Sequence, residues 1–204
     1  PESFKQHCRM IEMSFLTLPE HFEQFLLNRG DDEQNQDEGE SGVGEDFSFY
    51  LDEIRQAIAN RETISSIITT AMEALAFGQN FDRVLLLYLN ESENVLVGKM
   101  ALGQPFPTEP KLIRRDLEFL DEENSPDMKA LLEGDVVVFG DPLFPAGWPF
   151  AAIPVGTSDQ VLGVIYAEML PESPLAATAL DSGVTVALSL LAELLNQAVA
   201  QSKE

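Results

Sequence analysis

The chain has 204 residues, 45% of them apolar, enough for one domain of ordinary size with some additional segment. Asp and Glu outnumber Lys and Arg 35 to 12, a formal charge of −23 that repels phosphate backbones and anionic lipid, so neither nucleic acid nor a membrane surface is an expected partner. One cysteine, Cys8, and two histidines, His7 and His21, exclude an intramolecular disulfide and a closed Cys/His zinc site, and no metal is expected.

Residues 1–29 read as a short helical block, with Phe4, Met10, Phe15, Phe22 and Leu26 among its apolar positions. Alone it is too small to bury them, so it is expected to be the tail of an upstream domain or an N-terminal extension. The start, Pro1-Glu2-Ser3, reads as a cut from a longer chain. Residues 30–46 carry eight acids and no base, a composition that predicts a solvated linker. The folded domain is expected over 47–204.

Phe47, Tyr50, Leu51, Ile54 and Ile58 recur at helical spacing, and Asn60 interrupts them. A second helix carries Ile64, Ile67, Ile68, Ala71, Met72 and Leu75, with Gly78 placed to end it as a left-handed cap. The period then changes. Arg83 to Leu89 is a run of consecutive apolar residues after its arginine, as in a strand covered on both faces. Asn90 to Asn94 is a turn and Val95 to Ala101 the returning strand. Leu112 to Leu117 is a weaker, charged strand, whose Arg114-Arg115 is expected to neutralise nearby carboxylates.

Ser125-Pro126-Asp127 opens a short helix with Leu131 and Leu132 inward and Gly134 at its end. Val136 to Phe139 is a short strand. Gly140 to Pro149 is a loop. Ala151 to Val155 and Gln160 to Glu168 form the last hairpin, with Pro154 marking a bulge or an unpaired N–H position. The long final helix, Ala176 to Gln201, carries the stripe Leu180, Val184, Ala187, Leu191, Leu194 and Ala198, and Leu188, Leu190, Leu195 and Val199 widen it. No apolar run reaches the ~18 residues of a membrane span. A helix this apolar calls for cover on two sides, one the sheet and the other a second copy, or else residues 1–29 folded back over it within one chain. Ile54, Ile58, Val184, Ala187, Leu191, Leu194 and Ala198 are the expected dimer interface. Hairpins separated from helices make the domain α+β with a mostly antiparallel sheet.

Three pieces of this pattern resemble a GAF domain: Phe81 to Leu89, Ala101-Leu102-Gly103, and Val161 to Glu168, with Leu131 to Val138 in support. More narrowly, they are similar to the divergent GAF-like domains that follow an HDOD domain in bacterial signalling proteins. The resemblance implies six strands, mostly antiparallel, with the N- and C-terminal helices on one face and a short helix plus loops on the other. It implies a regulatory signal-transduction module in the cytoplasm, dimeric through its terminal helices, which couples an upstream HDOD-like domain to a ligand or partner. The alternative is a small-molecule sensor with its pocket under the 140–149 loop.

Candidate pocket residues are Phe119, Met128, Asp141, Phe144, Trp148 and Glu168. Three of them have a plainer role open: Asp141, a lone loop Asp, can cap a turn, Trp148 can anchor the packing of its loop, and Glu168 can end a strand in solvent. The Asn-Lys, Phe and Asp-Glu set of cyclic-nucleotide GAF domains is missing where Glu168-Met169-Leu170-Pro171-Glu172 stands, and no cofactor is expected. No nucleophile, base and orienting group can be assembled, so the expectation is that the chain is not an enzyme, with a GAF-like hydrolase or reductase as the remote alternative.

Overall fold

A computed structural model describes residues 45–121, 123–157, 160–173 and 180–202. The expectations for residues 1–29, and for the linker up to residue 44, lie outside the described residues.

Helix α1, Glu45–Ala59, begins two residues before the expected domain boundary. Asp46 lies in its first turn, where the helix dipole favours acids. It buries Phe47, Tyr50, Leu51, Ile54 and Ile58 along one face. Its end is fixed by Arg61 at φ 56, with Glu62 N–H donating to Ala57 O and Arg61 N–H to Ile58 O. That double closure is a Schellman motif built on a non-glycine residue.

Helix α2, Ile64–Glu73, starts at Thr63, whose hydroxyl accepts from Ser66 N–H, and runs into a π-helical turn, Ala74–Gly78. The expected left-handed cap at Gly78 is not formed; the positive φ falls on Asn80 instead. Gly78 serves close approach, since a Cβ there would lie 2.9 Å from the Cα of Phe47.

Strands β1, Arg83–Asn90, and β2, Val95–Gly103, form the expected hairpin, with Lys99 the extra residue of a bulge opposite Leu86 and Leu87. β3 is shorter than expected, Arg114–Asp116, between two 3-10 turns. Helix α3, Pro126–Glu133, ends on Gly134 at φ 74, as expected. It buries Leu131 but leaves Leu132 exposed, so only one of that pair faces inward. β4, Phe150–Thr157, and β5, Gln160–Glu168, complete a sheet of order β3-β2-β1-β5-β4, antiparallel throughout.

The sheet has five strands rather than the expected six. The segment 136–139 makes a single bridge, Val137 to Ala152, and then turns away. Asp141 N–H donates to Asn124 O, which pulls the chain off the β4 edge. Because Ala152 spends its N–H and C=O on Val137, the same edge of β4 carries Pro154 two residues later, where no donor is needed.

Alternation along the strands divides the core. On one face Leu85, Leu87, Leu96, Phe150, Val164 and Tyr166 meet Ala130 and Leu131 of α3. The other face carries Val84, Leu86, Ile153 and Ile165, all fully buried. Helix α4, Ser182–Gln201, capped by the Asp181 carboxylate on Val184 N–H, packs on β4 with α1 and α2 at its sides. The architecture is α+β with the terminal helices on one face and the short helix and loops on the other.

At 20 residues, α4 is long and apolar enough to cross a membrane, against the expectation that no run qualifies. Ala187, Leu188, Leu191, Leu195 and Val199 are buried in this unit, as in the core helix of a globular domain.

Candidate functional site: a buried ion pair where loops meet the sheet

The three segments that carry the GAF resemblance converge at one end of the sheet. β1 opens with Arg83, β2 closes at Gly103 and β5 closes at Glu168, and Arg83 lies opposite both. Just before β1, Asp82 fastens the neighbouring chain ends. Its carboxylate accepts from Leu170 N–H at 2.7 Å and its carbonyl from Gln104 N–H at 2.7 Å. Gly103, at φ 83, has no room for a side chain, because a Cβ would lie 2.2 Å from Asp82 O.

Arg83 and Glu168 form an ion pair inside the protein. Arg83 Nε donates to Glu168 Oε1 at 2.5 Å, with the side chains 5% and 0% exposed. The second carboxylate oxygen accepts from the Tyr166 hydroxyl at 3.0 Å, and that hydroxyl in turn accepts from Leu143 N–H at 3.0 Å. Arg83 Nη1 donates to Pro105 O at 3.3 Å. The guanidinium also lies 4.9 Å from the ring centre of Phe106 and 5.5 Å from that of Phe144, two rings 4.9 Å apart and tilted by 47°. Gly147 closes the site: a Cβ on it would lie 1.6 Å from Glu168 Oε2.

Burial pushes the Glu168 carboxyl above its ordinary value, against the pull of the Arg83 charge and its hydrogen bond. Burial, together with the neighbouring carboxylate, pushes the Tyr166 phenol up, so it remains a protonated donor. A second buried acid, Asp127 in the first turn of α3, takes both forks of Arg115 at 2.8 and 3.2 Å and ties α3 to the edge strand. Arg114 pairs with Glu93, so both arginines do neutralise carboxylates.

The candidate pocket residues separate. Glu168 is fully buried, which corrects the reading of a strand end in solvent, and Phe144 stands over its partner Arg83. Met128 packs against the same core cluster. Trp148, 45% exposed, meets Phe150 edge-on at 5.6 Å. Asp141 is exposed and tied through its backbone to Asn124, and Phe119 is 80% exposed. Under the 140–149 loop, where a pocket is expected, Phe144 and Gly147 sit directly against the Arg83–Glu168 pair.

Six of the seven expected dimer residues, Ile54, Ile58, Ala187, Leu191, Leu194 and Ala198, are buried within this one chain, and Val184 is half-buried. The apolar stripe of α4 is therefore largely consumed by its own core. Residues missed by sequence reasoning are Arg83, Phe106, Tyr166 and Gly147. The available signal was a lone arginine heading a wholly apolar strand, which demands a buried partner.

No family model matches the sequence, and no curated protein matches it. Solved structures do. A GAF sensor protein from Burkholderia vietnamiensis matches at TM-score 0.59 and 13% identity, over 83% of this chain and 97% of that one. The GAF domain of a phosphoenolpyruvate-protein phosphotransferase from Coxiella burnetii matches at TM-score 0.56 and 15% identity, over 78% and 95%. A free methionine-R-sulfoxide reductase from Neisseria meningitidis matches at TM-score 0.54 and 16% identity, over 84% and 97%. The last overturns the expectation that the chain is not an enzyme: that expectation rested on finding no catalytic set in the sequence, and this fold also carries a reductase. At these identities the shared property is the fold, and the fold of this chain is GAF-like.

Proposed function

We propose that the chain is a cytoplasmic signalling module of GAF-like fold, dimeric through its terminal helices, that couples an upstream domain of the HDOD type to a ligand or partner. The observation that carries this reading is the packing of α4, the last described helix, on β4, on the sheet face away from the loops, with α1, the first described helix, against its side. A change at the loop end can reach α4 through β4, and α1 through α4, which is the arrangement a transmitting module needs. The likeness to GAF sensor domains supports the general role.

The buried stripe moves the proposed contact to what α1 and α4 leave outside. Val186 is 68% exposed and Phe49 is 59% exposed. Sedimentation velocity of the full chain tests the dimer. The wild type is expected to sediment as a dimer at tens of micromolar, and Val186→Glu as a monomer with an unchanged far-UV spectrum. A wild-type monomer at that concentration, or a Val186→Glu dimer, would refute the proposed interface.

A further inference from the structure

We infer that Glu168 is a latch that makes two separate loops, 104–109 and 140–149, into one lid over the loop-side core. The inference is independent of the signalling reading, because it rests on the geometry at the end of β5.

The two loops are distant in sequence and meet at one carboxylate. On the 104–109 side, Arg83 links Glu168 Oε1 to Pro105 O, and Phe106 lies over the same guanidinium. On the 140–149 side, Tyr166 links Glu168 Oε2 to Leu143 N–H, and Gly147 rests on that oxygen. The loops touch each other through Phe106 and Phe144. Every polar link between a loop and the carboxylate passes through one intermediate side chain, Arg83 on one side and Tyr166 on the other. If Glu168 moves, both links are broken together. A buried carboxylate with one bond to each side cannot release one loop and keep the other in place without stranding a charge or a hydroxyl. Local opening should therefore be joint, with a free energy below that of global unfolding. Beneath the lid lie Tyr166 and Phe150, stacked at 5.7 Å, so opening presents an aromatic surface.

Hydrogen exchange on the full chain, read residue by residue, tests the latch. Tyr166→Phe removes the link on the 140–149 side only. The expected result is an increase of about tenfold at both Trp148 N–H and Gln104 N–H, the scale set by losing a buried hydrogen bond, with α2 amides unchanged. Gly147→Ala serves as the second variant, since its methyl presses on Glu168 from the same loop without altering the tyrosine, and it should give the same joint increase. An increase confined to 140–149, or one shared equally by α2, would overturn the inference.

Discussion

Replacing Arg83 by Met should make stability fall steeply with pH, and the size of the fall follows from the site. Glu168 is fully buried, and its carboxyl already sits above the ordinary value because of that burial. The opposing influences come from the Arg83 charge, its hydrogen bond and the Tyr166 hydroxyl, in that order. Methionine removes the first two, so the folded-state value climbs further, while the unfolded chain keeps a value near 4.5. With the folded value raised, the folded protein retains a proton that the unfolded chain gives up. The stability tied to that proton is complete below the unfolded value and is lost as pH rises through the folded one. Each pH unit between the folded values of the wild type and the variant costs the variant about 1.4 kcal/mol more than the wild type. Two such units cost about 2.7 kcal/mol, or roughly 5–11 °C in Tm for a domain of this size. Urea unfolding at several pH values should show the gap between Arg83→Met and wild type widening upward from mildly acidic pH. The double variant Arg83→Met/Glu168→Gln, which has no carboxyl left to titrate at this site, should show no pH dependence from it. A gap of constant size for Arg83→Met would refute the reasoning, because it would mean that Glu168 is solvated or finds another cation.

Leu191→Ala should lower stability by about 2–5 kcal/mol in denaturant melts, since Leu191 is fully buried in the chain's own core. Asp127→Asn should cost about 1.5–3 kcal/mol by the same measurement, through the two charge-assisted bonds to Arg115. Gly98→Ala should cost about 1–3 kcal/mol, because its methyl would fall 2.0 Å from the backbone oxygen of Pro110. Cyclic AMP and cyclic GMP should leave Tm unchanged in thermal-shift assays, whereas a ligand at a hundred times its Kd would add about 2.7 kcal/mol.

What the sequence made legible is what repeats locally. The run Val84 to Leu89 announced a central strand because consecutive apolar residues need cover on both faces, and β1 has it. Pro126 and Gly134 bounded α3 correctly because each satisfies a local backbone requirement, although the Ser125 side chain forms no capping hydrogen bond. The sixth strand was misjudged for a non-local reason. Val136 to Phe139 has strand composition, but the Asn124 carbonyl captures Asp141 N–H and withdraws the segment after one bridge. The site was hidden in the same way. Arg83 and Glu168 are 85 positions apart, and they meet only because β1 pairs with β5, an adjacency no local period encodes. The dimer stripe misled because periodicity shows that a face is apolar without showing whether a sheet, α1 and α2 already cover it.

The most direct test of the central claim, that a buried Arg83–Glu168 pair holds this end of the sheet, is a double-mutant cycle at neutral pH. Arg83→Met strands a carboxyl, Glu168→Gln strands a guanidinium, and the combined variant strands neither. The account predicts that the double variant is less destabilised than the two single losses added together, by about 2 kcal/mol, within the range measured for residues in direct contact. Additivity to within about 0.5 kcal/mol, the behaviour of sites that do not interact, would contradict it.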